Sequence, residues 1–177
     1  TTPVCDPFQN GGTTISNKNG VEATLHYFNS EPPQKTTNYF LTNGIKVDNT
    51  LIYFNQINVP PRKFSSGFQT STGESLKDKK GSLLIEWFSL RIKGQIGLTS
   101  GDSIGDYQFA LISDDGVDFK LNQSGAFNSY ITDDNTHAPK LSCSEQKVKL
   151  DHNNKVPFEL NYFQGPRDRI ALMLLWR

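Results

Sequence analysis

Two adjacent aspartates are the residues whose types and spacing most directly suggest chemistry. Asp114 and Asp115 lie within residues 113–117, between two segments that read as strands. Neighbouring residues of a strand point to opposite faces, so the two carboxylates can converge on one ion only if the backbone breaks that alternation. A cis peptide bond between them would do this. Two carboxylates are hard oxygen ligands, and they would favour calcium, which takes about 6–8 such ligands.

The same two aspartates also fit a simpler interpretation, a hairpin turn with solvated carboxylates, because Asp-Asp-Gly is common in turns. Their spacing excludes a helix-loop-helix calcium site, which needs Asp-x-Asp-x-Asp-Gly. The chain has no Gly-x-Ser-x-Gly elbow, phosphate-binding loop, dinucleotide fingerprint or His-Glu-x-x-His helix. Carboxylates for glycoside hydrolysis could still be hidden among the 18 acidic residues. Aspartates committed to a cation stay ionised and make poor acid–base catalysts, so we expect a binding protein and not an enzyme.

The elements that must position these aspartates are strands. Short alternating or aromatic segments recur between turn clusters, and no long stretch carries apolar residues at helical spacing. The pattern predicts an all-β fold, an antiparallel β-sandwich with long loops. Val117, Phe119 and Leu121 should share one buried face. The predicted strands are residues 21–28, 39–42, 50–54, 83–92, 107–112, 117–122, 127–131, 146–151, 156–164 and 170–177.

Three further expectations concern burial and loops. The last strand, residues 170–177, has apolar residues on both faces and should be buried on both sides. Trp87, within the strand 83–92, and Trp176 lie in apolar surroundings and should pack in the core. The charged run at residues 77–81 is interpreted as a solvated turn between strands.

Composition limits the partners and the organisation of the chain. The 177 residues suit one domain, which we place at residues 20–177, preceded by an N-terminal arm at residues 1–19. The 18 basic and 18 acidic residues balance, so no global field attracts nucleic acid or an acidic membrane surface. No apolar run approaches the ~18 residues of a membrane span, and the polar start does not resemble a signal peptide. We expect no membrane insertion and a signal segment outside this chain.

Cys5 and Cys143 are the two cysteines of the chain. Neither has a second cysteine or a histidine at metal-ligand spacing, which makes a zinc site improbable. A disulfide between them would close a long loop, contribute up to about 4–5 kcal/mol in the chain-entropy model and fix the N-terminal arm. In an oxidising compartment we expect this bond, and the alternative is two unrelated free thiols.

Several blocks in order resemble the protective-antigen fourteen-kilodalton (PA14) domain family, β-sandwiches found in toxins, glycosidases and microbial adhesins. The blocks are residues 85–88, 105–109, 112–119, 148–150, 158–166 and 172–176. The segment 21–28 is similar to the opening strand of the family, so the resemblance spans residues 20–177. In the lectin branch, which includes flocculins and bacterial adhesins, an Asp-Asp pair joined by a cis peptide holds a calcium ion that binds vicinal sugar hydroxyls.

The resemblance implies specific site residues. Asp114 and Asp115 would hold the calcium, and the loop joining the last two strands would add Gln164 through its amide oxygen and Asp168 through its side chain or carbonyl. Sugar hydroxyls away from the metal would need partners at the rim, for which Arg167, Asp168 and the loop 124–137 are available.

Two residues of that loop, Tyr130 and His137, have open roles. Tyr130 either stacks on a sugar or packs in the core. His137 is either a sugar contact or a hydrogen-bonded structural residue. Asp133 and Asp134 could form a second metal site, although a plain turn is favoured.

The expected function is therefore calcium-dependent carbohydrate binding by a lectin or adhesin domain. Its partners would be glycans or cell-surface glycoconjugates. The chain would be exported, at the cell surface or extracellular, and part of a larger surface protein. The alternative is a structural or protein-interaction PA14 domain that binds no sugar, because fold alone does not settle function.

Overall fold

The computed structural model describes residues 20–54, 56–68 and 75–177, where ten strands form two antiparallel sheets. The first sheet contains β1 (Val21–Tyr27), β2 (Ile45–Phe54), β4 (Phe88–Ile96), β6 (Val117–Asn122), β7 (Phe127–Asp133) and β9 (Val156–Gln164). The second contains β3 (Asn58–Lys63), β5 (Gly105–Asp114), β8 (Lys140–Leu150) and β10 (Arg169–Trp176). The spatial orders are β2-β1-β4-β9-β6-β7 and β3-β10-β5-β8. The predicted all-β antiparallel sandwich is confirmed.

The core lies between the two sheets and is rich in aromatic side chains. In β6, Val117, Phe119 and Leu121 are fully buried, which confirms the predicted alternation of that strand. Phe68 packs edge-on against Tyr162, with ring centroids 5.3 Å apart, and Phe119 contacts Phe109 across the sandwich at 5.6 Å. The edge-on Phe68–Tyr162 pair is of a kind that adds about 0.5–1.5 kcal/mol to the free energy of burial.

A short helix, α1 (Thr37–Asn43), covers part of the outer face of the first sheet. Phe40 on this helix is fully buried and stacks on Phe163 of β9, with ring centroids 5.0 Å apart. Because of this cover, β9 is the strand buried on both faces near the site. The prediction of a strand at residues 39–42 was wrong, since two helical turns are too short for helical periodicity to emerge from aromatic residues that also suit strands.

Two other expectations are corrected. The strand that includes Phe88 begins there and not at residue 83, because Trp87 has a positive φ of 57°, which interrupts the extended backbone. The C-terminal strand β10 is buried on both sides only in its first half. Its end is open, and Trp176 is 60% exposed, so the core position predicted for this tryptophan was wrong. Trp87 is half-buried, with the Lys35 ammonium 5.9 Å from its ring.

The charged run at residues 77–81 is a turn, as the sequence predicts. Asp78 accepts hydrogen bonds from the backbone N–H groups of Lys80 and Ser82, and Gly81 takes the positive φ that the turn requires. Among the described residues, no helix has the length and apolar character that crossing a membrane would require.

Candidate functional site

The two aspartates occupy the tight connection from β5 to β6. Asp114 is the last residue of β5, Val117 is the first of β6, and the Asp114–Asp115 peptide bond is cis, as the sequence analysis anticipated. Strand β9 holds this connection in place, because the Phe163 N–H donates to the Gly116 carbonyl at 3.0 Å. A Cβ atom on Gly116 would lie 2.3 Å from the Phe163 ring, so only glycine fits there.

The Asp115 carboxylate connects two loops through their backbones. Its Oδ1 accepts from the His137 N–H at 3.0 Å, and its Oδ2 accepts from the Gly165 N–H at 2.7 Å. His137 belongs to the β7–β8 loop and Gly165 to the β9–β10 loop. A Cβ atom on Gly165 would lie 2.9 Å from Oδ2, so the close approach also depends on glycine. Asp115 thus gathers the two loops around the base of the site.

The Asp114 carboxylate has a different environment. The residue is 3% exposed, and within the described ranges no protein donor hydrogen-bonds to its carboxylate. Its pKa is raised from 3.8 to about 7, mainly by burial and also by the neighbouring charges of Asp115 and Asp168, against the lowering effect of His137 and Arg169. Burial also raises the pKa of Asp115, but the hydrogen bonds from Gly165 and His137 oppose that rise. The site therefore holds one carboxylate with donors and one without.

Above the aspartates lies a cavity of about 260 Å³ that is partly open to solvent. It is formed by the β5–β6 connection, the β7–β8 loop and the β9–β10 loop. The residues that line it are Asp114, Asp115, Thr136, His137, Ala138, Pro139, Pro166, Arg167, Asp168 and Arg169. Five of the seven residues predicted to bind metal or sugar are therefore brought together here: Asp114, Asp115, His137, Arg167 and Asp168.

Gln164, the predicted amide ligand, does not line the cavity. It is fully buried, its Oε1 lies 2.6 Å from the Tyr162 hydroxyl, and its Nε2 donates to the Arg169 carbonyl at 3.0 Å. The same Tyr162 hydroxyl lies 2.6 Å from the Asp114 carbonyl oxygen. The structure places Gln164 beneath the site as a support, because protein groups already engage both ends of its amide.

Tyr130 also lies outside the cavity. Its ring packs partly against the core, and its hydroxyl donates to Gln123 Oε1 at 2.6 Å, which favours the structural alternative for this residue. Asp133 accepts from Ser142 Oγ at 2.7 Å and pairs with Lys140, while Asp134 accepts from the Thr37 N–H at the start of α1. These two carboxylates serve different protein donors, consistent with the turn interpretation.

The predicted disulfide involves a residue beyond the described part of the chain. Cys143 is exposed on β8, whereas Cys5 lies outside the described residues, so the bond stays a prediction. The N-terminal arm at residues 1–19 also lies outside them.

Arg169 is the cavity residue that the sequence analysis missed. It is the first residue of β10, a position that sequence patterns mark only as the start of a strand. Its place in the cavity follows from the pairing of β10 with β5, in which Ala171 lies opposite Asp114. Pro139 was missed for the same reason, since only the folded loop brings it to the aspartates, whereas Thr136 lies within the loop 124–137 named as available at the rim.

The donor set of the cavity fits a hard cation. Among the described residues, no group of three or more His, Cys, Asp or Glu side chains is arranged to hold a metal ion, so a cation in the cavity would need oxygen ligands besides the aspartate carboxylates. Asp114, Asp115 and Asp168 are the carboxylate residues that line the cavity, and loop carbonyl groups or water would have to complete the coordination of a cation. Calcium takes such oxygen ligands in irregular geometry, and a divalent cation would offset the cost of the buried, donor-free Asp114 charge.

Comparisons by sequence give no relative. No protein-family model matches the chain, and no curated protein matches its sequence. Comparisons by structure do give matches, and the four described below have 13–16% sequence identity. One match is an anti-sigma factor domain-containing protein, with a TM-score of 0.58 and 14% sequence identity. The match covers 89% of this chain but only 42% of the length of that protein.

Three solved domains match over most of both chains. The PA14 domain of the MpAFP antifreeze protein has a TM-score of 0.65 at 14% identity, covering 96% of this chain and 87% of that one. The PA14 sugar-binding domain from an RTX adhesin has a TM-score of 0.57 at 16% identity, covering 91% of this chain and 90% of that one. The Epithelial Adhesin 9 A domain from Candida glabrata, in complex with Galb1-4GlcNAc, has a TM-score of 0.54 at 13% identity, covering 94% of this chain and 85% of that one. The chain therefore has the β-sandwich fold of PA14 domains.

Proposed function

We propose that this chain is a carbohydrate-binding domain of the lectin or adhesin type, and that it binds sugar through a calcium ion held by Asp114 and Asp115. The observation that carries the proposal is the pair of buried carboxylates at the base of an open cavity, one of which has no protein donor within the described ranges. A buried carboxylate without a donor is costly unless a cation binds it.

The residues in and around the cavity have different proposed roles. Asp115 keeps the two loops in position through backbone N–H groups, while the Asp114 carboxylate faces the cavity and is available as a ligand. Asp168 is the third candidate ligand. Calcium, when bound, supplies coordination positions for two adjacent sugar hydroxyls. Arg167 and His137 lie at the rim as partners for the remaining hydroxyls, and Gln164 supports the Asp114 carbonyl through Tyr162.

Two of the structural matches support sugar as the ligand class. One solved domain is described as a sugar-binding PA14 domain, and another is in complex with Galb1-4GlcNAc. A calcium-bridged contact buries little surface, so we expect single sugars to bind with Kd values of about 1 mM. Tighter overall binding would come from several copies of the domain that bind sugars at the same time. Such a domain would act outside the cell or at its surface, within a larger protein, and would bind glycoconjugates without catalysing a reaction.

The test is glycan-array binding with excess calcium and again with chelator. Asp114→Asn is the test variant, and Asp106→Asn, at the exposed far end of the same strand β5, is the matched control. We expect binding to particular sugars that disappears with chelator and with Asp114→Asn but survives in the control. Folded protein that binds no glycan with calcium would reject this function and favour the alternative, a structural PA14 domain without a sugar ligand.

A further inference from the structure

Two cations lie opposite each other at one side of the cavity, where Arg169 belongs to the lining and Lys63, on the neighbouring strand β3, does not. Arg169, at the start of β10, is paired across the sheet with Lys63, at the end of β3. Directly opposite residues of antiparallel strands project from the same face, with Cβ atoms about 5 Å apart. Arg169 is two residues from Ala171, which lies opposite Asp114, so these cations project from the face that carries Asp114.

Neither cation forms a close ion pair within the described ranges, although Arg169 is near enough to Asp114 to lower the pKa of that carboxyl. No carboxylate there lies within 4.0 Å of Lys63 or Arg169, whereas the neighbouring Arg167 is paired with Glu86, its Nε lying 3.2 Å from both carboxylate oxygens. Like charges directly opposite each other destabilise a sheet. An anion bound between them would relieve that repulsion.

Calcium at the site would leave one positive charge in excess. The carboxylates of Asp114, Asp115 and Asp168 carry three negative charges, which a calcium ion and Arg169 would balance, so the positive charge of Lys63, opposite Arg169 and outside the cavity lining, would be the one in excess. Arg167 is already offset by Glu86. One negative charge on the ligand would therefore balance the loaded site.

We propose that the preferred ligand is an acidic sugar, one that carries a carboxylate or sulfate group beside the hydroxyls that contact calcium. This inference rests on the proposed function and names the substrate class of the same site. The Arg169 guanidinium can bind a planar carboxylate or a sulfate through two parallel hydrogen bonds, and Lys63 adds a point charge. A neutral sugar uses the calcium but leaves both cations unpaired.

The experiment compares matched sugars by isothermal titration calorimetry with excess calcium. The pairs are methyl glucuronide with methyl glucoside, and methyl galacturonide with methyl galactoside, each corrected for calcium binding by the free sugar. Galactose 6-sulfate separates a sulfate from a carboxylate preference. We expect the acidic member of at least one pair to bind about tenfold more tightly, and the preference to shrink in 0.5 M NaCl.

Variants assign the preference to the two cations. Lys63→Gln, outside the residues that line the cavity, should lower the affinity for the acidic sugar several-fold and leave the neutral sugar unchanged, whereas Arg169→Gln should lower the ratio of acidic-sugar to neutral-sugar affinity several-fold. Lys147→Gln, an exposed lysine on β8, is the matched control and should change neither. If Arg169→Gln fails to fold, the comparison of matched sugars with the wild-type protein still tests whether an acidic sugar is preferred.

Each outcome separates the two proposals. Equal binding of acidic and neutral sugars in calcium would overturn the acidic-ligand inference and leave the proposed function standing. Calcium-dependent preference for a neutral sugar would do the same. No binding of any sugar in calcium would overturn the proposed function, and the inference with it.

Discussion

Replacing either of the adjacent aspartates with asparagine should change the stability of the calcium-free protein in opposite directions. Asp114→Asn removes a buried charge that has no donor in the described structure, whereas Asp115→Asn disrupts an acceptor of two backbone N–H groups. We therefore expect the first substitution to raise the free energy of unfolding and the second to lower it, at pH 8 in excess chelator.

The size of the Asp114 effect follows from its pKa. The rise from 3.8 to about 7 spans about three units, and each unit corresponds to about 1.36 kcal/mol, so the ceiling is about 4 kcal/mol. Asp114 faces a cavity that is partly open to solvent, which screens part of this cost. We expect Asp114→Asn to stabilise the calcium-free protein by about 2 kcal/mol.

The Asp115 effect follows from hydrogen bonding. An asparagine keeps one oxygen, but its NH₂ group must face either the His137 N–H or the Gly165 N–H. Leaving a buried donor unsatisfied costs about 1–3 kcal/mol, which exceeds the gain from removing the charge because the carboxylate is already hydrogen-bonded. We expect Asp115→Asn to destabilise the protein by about 1–2 kcal/mol.

Urea unfolding monitored by tryptophan fluorescence measures both changes, with Asp106→Asn as a control that should stay within about 0.5 kcal/mol of wild type. Shifts of the same sign and similar size at Asp114 and Asp115 would refute the division of roles between the two carboxylates. In that case the site would be a turn with two equivalent, solvated aspartates.

Four further predictions follow from the same structure. The native state holds the Asp114 proton up to about pH 7 and the unfolded state only up to about pH 4, so calcium-free stability should fall as pH rises between these values, and urea titrations of Asp114→Asn should show a shallower slope, with the contribution of Asp115 remaining. Calcium at 100 times its Kd should raise the free energy of unfolding by about 2.7 kcal/mol in wild type and by nothing in Asp114→Asn, as measured by urea unfolding with and without the ion. Tyr162→Phe removes the hydroxyl beside the Asp114 carbonyl and Gln164, so calorimetry should show weaker calcium binding and urea unfolding a loss of about 1–2 kcal/mol. Phe40→Ala should cost about 3–4 kcal/mol in urea unfolding, because it exposes the Phe163 face of β9.

Each of these has a contradicting result. A flat or rising pH profile without calcium would mean that the Asp114 carboxylate is well solvated. Equal calcium stabilisation of wild type and Asp114→Asn would place the ion elsewhere. Unchanged calcium affinity in Tyr162→Phe would show that the hydroxyl does not position the aspartates, and a loss below 1 kcal/mol in Phe40→Ala would show that α1 adds little to the fold.

The sequence predicted those strands whose flanks and alternation are clear. Residues 117–122 and 156–164 coincide with β6 and β9, because β6 alternates apolar and polar residues and both strands lie between turn residues. Helix α1 was missed because its stability comes from Phe40 packing on Phe163, a tertiary contact that local periodicity does not contain. Trp176 was misplaced because an apolar neighbourhood in sequence does not reveal that the end of β10 is open.

The candidate site was predictable where it depends on neighbours in sequence and unpredictable where it depends on pairing of strands. Adjacent aspartates between two strands pointed to the β5–β6 connection. The inward orientation of Gln164 depends on Tyr162 on the same strand, and the position of Arg169 depends on the register of β10 with its neighbours. Side-chain direction at the end of a strand is set by those contacts and not by residue type.

The grip of Asp115 on backbone N–H groups has a consequence for how the specificity of this domain can change. A carboxylate that binds peptide groups holds the two loops whatever side chain stands at position 137, provided that position 165 stays glycine. The base of the cavity therefore keeps its structure independently of the side chains at its rim. In the proposed lectin, substitutions at the rim would change the ligand with little loss of stability, and these loops are where we would introduce new specificities.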